Sequence, residues 1–204
     1  MAKAKAKKSS KETLKWKKKK WVKIVAPKEF KSASLGESLV MAPENLVGRT
    51  VESNLMTITG DMKKQNINVK FSINGIKDGQ AVTELRSYGV IPSAVKRMVR
   101  RTRDRIDQSF IVETKDGFKM RVKPILITAS NTSNSVLNML RKKTEDLITK
   151  HLSKTNKEDL VTEILNHKLQ NELKKLLKNV YPLRVCEIRK IEVLKTPEEN
   201  KNEA

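Results

Sequence analysis

The chain has 204 residues, a formal net charge of +21, 37% apolar residues, one cysteine and two histidines. That length makes one or two domains, and the single cysteine excludes an intramolecular disulfide and fits a reducing, cytoplasmic setting. No apolar run approaches the ~18 residues of a membrane span, and no hydrophobic segment follows the first lysines as a secretory signal would require.

The charge is concentrated. Residues 1–31 hold thirteen lysines against Glu12 and Glu29. Like charges this dense repel one another, so residues 1–20 read as a disordered basic arm that needs a polyanion. The candidates for phosphate contact are Lys3, Lys5, Lys7, Lys8, Lys11, Lys15, Lys17, Lys18, Lys19 and Lys20. Trp16, set among them, is the candidate base-stacking platform. Trp21 heads a predicted strand, where core packing is the expectation.

From Trp21 to Ala26 the pattern predicts a short strand stopped by Pro27. Lys28 to Asn45 reads as an irregular connection. Arg49 to Thr59 reads as a second strand, ended by Gly60-Asp61. Ile67, Val69, Phe71 and Ile73 alternate with Asn68, Lys70 and Ser72, a period of two that turns one face inward. Asn74-Gly75 and Asp78-Gly79 accept the positive φ of tight turns, and Ala81 to Tyr88 returns as the partner strand.

A helix from Ser93 to about Arg101 follows. It would put Arg97, Arg100 and Arg101 on one face. With Lys96, Arg103 and Arg105 these form a second basic cluster, opposed within it by Asp104 alone. Arginine's planar fork suits phosphate and base contacts. A second hairpin runs from Phe110 through Asp116-Gly117 to Val122, and Pro124 suggests an edge or a bulge.

After Ser130 the character becomes helical. Ser133 or Ser135 caps a first helix. Thr155, with Glu158 three residues on, opens a second as a capping box. Its apolar stripe runs from Leu160 to Leu177. Leu183 to Leu194 reads as a final strand with a bulge near Arg189, where the apolar phase shifts. The expected fold is α+β: a small antiparallel β-barrel followed by two longer helices and a final strand, behind a disordered basic N-terminal arm. The expected organisation is an arm at 1–20, a β-barrel core at 21–130, a helical region with the final strand at 131–195, and an acidic flexible tail at 196–204.

Catalytic chemistry has little to stand on. There is no GxGxxG or GxxxxGK[ST] loop, and His151, His167 and Cys186 make no common zinc cluster. Asp104 and Asp107, three residues apart, sit among arginines that would pair with them. No enzyme activity, metal or cofactor is expected. The residues alone lead to a basic RNA- or DNA-binding α+β protein, with a chromatin protein and a nuclease or RNA-modifying enzyme as rivals.

Four segments carry a resemblance: WVKIVAPKEF at 21–30, GRTVESNLMTITGD at 48–61, SFIVETKDGFKMRVKP at 109–124 and YPLRVCEIRKIEVLK at 181–195. Behind the lysine arm, in this order, they resemble the archaeal branch of the S-three-a-e family of small-subunit ribosomal proteins. The resemblance implies a structural, β-barrel protein on the platform of the small subunit near the mRNA exit. The partners it implies are small-subunit rRNA, neighbouring ribosomal proteins and mRNA near its exit, with no membrane. It carries rRNA contact to the lysine arm at 3–20 and to Arg97–Arg105 only.

Overall fold

The computed structural model of the protein describes residues 19–195. Among them are nine strands and five helices. The order is β1 (Lys20–Val25), β2 (Ser34–Val40), β3 (Thr50–Asn54), α1 (Leu55–Thr59), β4 (Ile67–Lys77), β5 (Gln80–Val90) and α2 (Pro92–Met98). It continues with β6 (Arg105–Asp107), β7 (Phe110–Glu113), β8 (Lys119–Thr128), α3 (Asn134–Leu152), α4 (Lys157–Leu165), α5 (Lys168–Leu177) and β9 (Leu183–Lys195). The fold is α+β, as expected. Arm residues 1–18, with Trp16, and the expected acidic tail at 196–204 lie outside the described residues. Lys20, placed by the sequence in the disordered arm, already opens β1.

β5 is the hub of the sheet. One edge carries β4 along its length. The other is shared by two strands: β1, parallel, at Ala81 and Val82, and β9, antiparallel, at Ser87 to Gly89. β9 carries β8, whose far edge is divided between β7 and β6. β2 lies outside β1, and β3 outside β4. The expected antiparallel barrel is therefore corrected. The sheet is mixed, and no ladder joins β2 or β3 to β6 or β7. Closure needs such a ladder; splitting the edge of β5 between two strands makes the sheet fork instead.

Local chemistry explains the elements. Ile67, Val69, Phe71 and Ile73 all face inward and are buried. Asp78 and Gly79 form the β4–β5 turn with φ of 50° and 74°, the two positive values a type I′ turn requires. Asn74-Gly75 instead lies inside β4 at a register irregularity. Pro124 sits at a bulge rather than an edge. Lys123 pairs with Lys190 and Pro124 with Ile188, which leaves Arg189 as the extra residue, where the phase shift pointed.

Other expectations change. Ser34–Val40 is a strand, not irregular, because β1 offers it a pairing edge. Leu55–Thr59 is helical, not extended: the Asn54 carboxamide oxygen accepts the Met56 N–H at 2.9 Å and caps a turn. The single helix expected from Thr155 to Leu177 is two. Asn166 ends α4 and His167 takes a left-handed φ of 55°. Gln170 Nε2 then donates to the Ile164 carbonyl at 3.3 Å. Leu160, Ile164, Leu169, Leu173 and Leu177 stay buried across the break, so the apolar spacing conceals it. Asn156, not Thr155, is the N-cap of α4, and the Lys157 N–H donates to Asp116 Oδ2 at 2.9 Å from the β7–β8 turn.

The three later helices cover one face of the sheet. Leu140, Ile148, Leu160, Ile164 and Leu173 share a core with Val69, Phe71, Tyr88, Met120 and Ile188. Each buried aliphatic or aromatic side chain there contributes about 1.5–3 kcal/mol. Phe30 meets Phe71 edge to face, with ring centroids 5.1 Å apart. A smaller core of Val22, Ile24, Val40, Leu46, Ile73 and Ala81 lies beneath β1 and β2.

Candidate nucleic-acid interface

The root of the arm, where the described residues begin, does not adjoin the Lys96–Arg105 cluster. β1 runs parallel to β5 with Ile24 level with Ala81. Lys20 therefore lies beyond the start of β5, and the arginine cluster follows its end. At ~3.3 Å per residue the separation is on the order of 40 Å.

At the arm's root, Lys19 and Lys20 are exposed. Val22 and Ile24 take the inward positions of β1, so Trp21 and Lys23 must face out. Trp21 is 67% exposed, which overturns the expectation of core packing. Its cross-strand partner Leu39 and nearby Met41 are exposed as well. An exposed indole beside Lys19, Lys20 and Lys23 is the arrangement a stacked base uses.

At the other root, α2 ends at Met98 because Val99 is extended, with φ −82° and ψ 128°. Lys96 and Arg97 stand in its last turn, and Arg100 and Arg101 lie beyond it. The expected common helix face for Arg97, Arg100 and Arg101 is therefore corrected. The chain must leave the helix there to pair β6 with β8. The Asp104 N–H donates to Thr128 Oγ1 at 2.9 Å, and Asp104 Oδ2 accepts the Thr132 N–H at 2.6 Å. These bonds anchor the loop. Lys96, Arg97, Arg100, Arg101 and Arg105 are exposed, while Arg103 is half-buried.

Pairing inside the cluster is sparse. Arg97 Nη2 donates to the Asn66 side-chain oxygen at 2.7 Å. Arg105 contacts Asp107, which also lies 3.8 Å from Arg189. Arg103 Nε and Nη1 are buried without a hydrogen-bond partner. Desolvation, then Arg184 and Arg100 nearby, holds the Arg103 pKa below its usual value. Like charges gathered this way favour an anion between them. Sequence reading missed Arg184 and Arg189. Both ride on β9, about eighty residues later, and only their charge was available as a signal.

The structure gives the histidines and acids ordinary roles. His151 lies 3.4 Å from Glu163, and His167 lies 3.6 Å from Glu187. Burial pushes the Cys186 thiol up to about 12, which leaves it unreactive. Asp104 and Asp107 are engaged as described. Among the described residues no group of three or more His, Cys, Asp or Glu side chains is placed to hold a metal, and no helix is long and apolar enough to cross a membrane.

Residues 5–197 match the sequence profile described as the Ribosomal S3Ae family. The small ribosomal subunit protein eS1 of Desulfurococcus amylolyticus is 33% identical, over 90% of this chain and 86% of its own. Its counterpart in Methanothermobacter thermautotrophicus is 35% identical, over 89% and 93%. That of Saccharolobus solfataricus is 33% identical, over 90% and 88%.

Proposed function

Because the chain belongs to the Ribosomal S3Ae family, we propose that it binds small-subunit rRNA through the arm, through Trp21 at its root and through the exposed Lys96–Arg105 cluster. The coarser role is structural and ribosomal, not enzymatic. The observation that carries the finer reading is the clustering of exposed, sparsely paired cations at Lys96, Arg97, Arg100 and Arg101. A surface kept cationic with few acidic partners is matched to a polyanion. Two anchoring points about 40 Å apart suit folded RNA, which presents phosphates on several helices. The body sits on the platform near the mRNA exit of the cytoplasmic small subunit, beside neighbouring ribosomal proteins and within reach of mRNA.

The test is co-sedimentation with small subunits. Wild type should travel with them. An Arg100→Ala, Arg101→Ala double variant should fail to incorporate while melting as wild type does. Full incorporation of the double variant would remove the cluster from the interface. Chemical probing of the small-subunit rRNA, with and without the protein, tests the platform position.

A further inference from the structure

The face of the sheet that the helices leave open carries a groove of about 510 Å³, lined by residues of β3, β4, β5, α2, β6 and β9. Its floor is Ser87 and Gly89, which share a face of β5 because Tyr88 between them points into the core. Val90, Ile91, Pro92 and Val95 make an apolar wall. Lys70, Lys96, Arg105, Arg189 and Lys190 supply five cations around it, against Glu52.

Gly89 is the informative residue. Its φ is not positive, so its backbone conformation does not demand glycine. A Cβ there would meet only Lys190 Cγ at 3.7 Å and the Arg189 carbonyl at 3.9 Å, both ordinary contacts. Glycine weakens the interior of a strand. Neither backbone nor packing within the chain accounts for it here. What glycine does is keep the groove floor clear beside two of the rim cations.

The rim stays cationic after its internal pairing is counted. Lys70 lies 3.0 Å from Glu52, and Lys190 contacts Glu192, which also lies 3.7 Å from Lys123. Asp107 serves both Arg105 and Arg189. Glu52 and Glu192 are held below the ordinary carboxylate range, chiefly by their hydrogen bonds to Lys70 and Lys190. Three acids thus face five cations. The volume falls within the roughly 300–1,000 Å³ of small-ligand clefts.

We propose that the groove over Gly89 seats one unpaired nucleotide of the rRNA, its phosphate among Lys96, Arg105 and Arg189 and its base or ribose against the Val90–Pro92–Val95 wall. An unpaired nucleotide is the occupant because a base splayed out of its helix can pack on protein side chains, whereas a stacked and paired one cannot. The proposal rests on the rRNA-binding reading and adds a specific site to it.

The test uses the full chain and protein-free small-subunit rRNA. Gly89→Leu fills the groove, and a Lys96→Gln, Arg189→Gln double variant discharges it without filling it. Each should weaken filter-binding affinity about tenfold, and ultraviolet cross-links from 4-thiouridine-substituted rRNA should map to peptides spanning residues 87–96 or 189–190. Thermal melts establish that the variants fold. If Gly89→Leu does not fold, the double variant and the cross-links decide. Affinities within twofold of wild type, with cross-links elsewhere, overturn the groove and leave the wider reading standing. Unchanged affinity for free rRNA with lost subunit incorporation also overturns it, because the occupant is then a neighbouring protein. Failure of wild type to bind rRNA removes the wider reading and the groove together.

Discussion

The two faces of the central sheet are built from the same strands, one residue apart, and they have opposite chemistry. Phe71 is fully buried against Phe30 and the helix-covered core, while Lys70 beside it is exposed and paired only with Glu52. Tyr88 is buried, and Gly89 floors an open groove. One face satisfies itself by excluding water. The other gathers Lys70, Lys190 and Arg189 with too few acids to neutralise them. Among the described residues, folding has thus left these cations on a face that the chain itself does not cover.

The largest expected effect tests whether the cationic surface binds as a polyelectrolyte. If roughly 6–10 phosphates are neutralised, affinity for small-subunit rRNA should fall by roughly 10³–10⁵ between about 50 and 200 mM salt. Deleting residues 1–18 should flatten that slope. A slope indifferent to the deletion would leave the arm without a role in binding.

The next effect sets neighbouring residues on the two faces against each other. Phe71→Ala should cost about 3–5 kcal/mol of stability, read from the denaturant midpoint. Lys70→Ala should stay within about 0.5 kcal/mol of wild type. Equal costs at the two positions would break the comparison.

Trp21→Ala should weaken RNA binding by about 1–3 kcal/mol, the value of one stacked base, without shifting the melting temperature. A drop in melting temperature with unchanged affinity would mean that the indole packs rather than binds. Asp116→Ala should destabilise the protein by about 0.5–2 kcal/mol, because it removes the acceptor for the first N–H of α4. RNA affinity should stay the same, since this contact belongs to the covered face.

The smallest effect is a pH dependence. Glu187 raises the His167 pKa above its ordinary 6.5, more than partial burial lowers it. A group whose folded pKa is raised contributes stability that is complete below the unfolded value and is lost as pH rises through the folded one. Wild type should therefore exceed His167→Gln in stability at pH below the ordinary 6.5, with the gap closing as pH rises above it. The His167 side chain is 40% exposed, so screening limits the gap to about 0.2–1 kcal/mol. A gap that widens with pH would reverse the assignment.

Parts of the interface were legible in the residues and parts were not. The cluster from Lys96 to Arg105 was visible as a run of charge, and its exposure follows. Its shape was not visible, because the helix stops at Met98 so that β6 can reach β8. The outward turn of Trp21 was written in the alternation of Val22 and Ile24, but its place at the head of a predicted strand argued for core packing. Arg184 and Arg189 could not be placed beside the cluster, because nothing local says which strand β9 pairs with.

The sequence offered Asn74-Gly75 and Asp78-Gly79 alike as turns, and by itself determined the α+β class, the inward face of β4, the bulge near Arg189 and the concentration of positive charge. These depend on residue size, backbone preference and alternation over a few residues, and hold wherever the strand is placed. Only the tertiary structure decided that the sheet stays open, that β1 joins β5 in parallel, that the long apolar stripe breaks at His167 and that Gly89 floors a cationic groove. Each depends on which distant segments compete for one edge or one face. That competition is settled by burial and ladder pairing between residues many positions apart, and local sequence does not encode it.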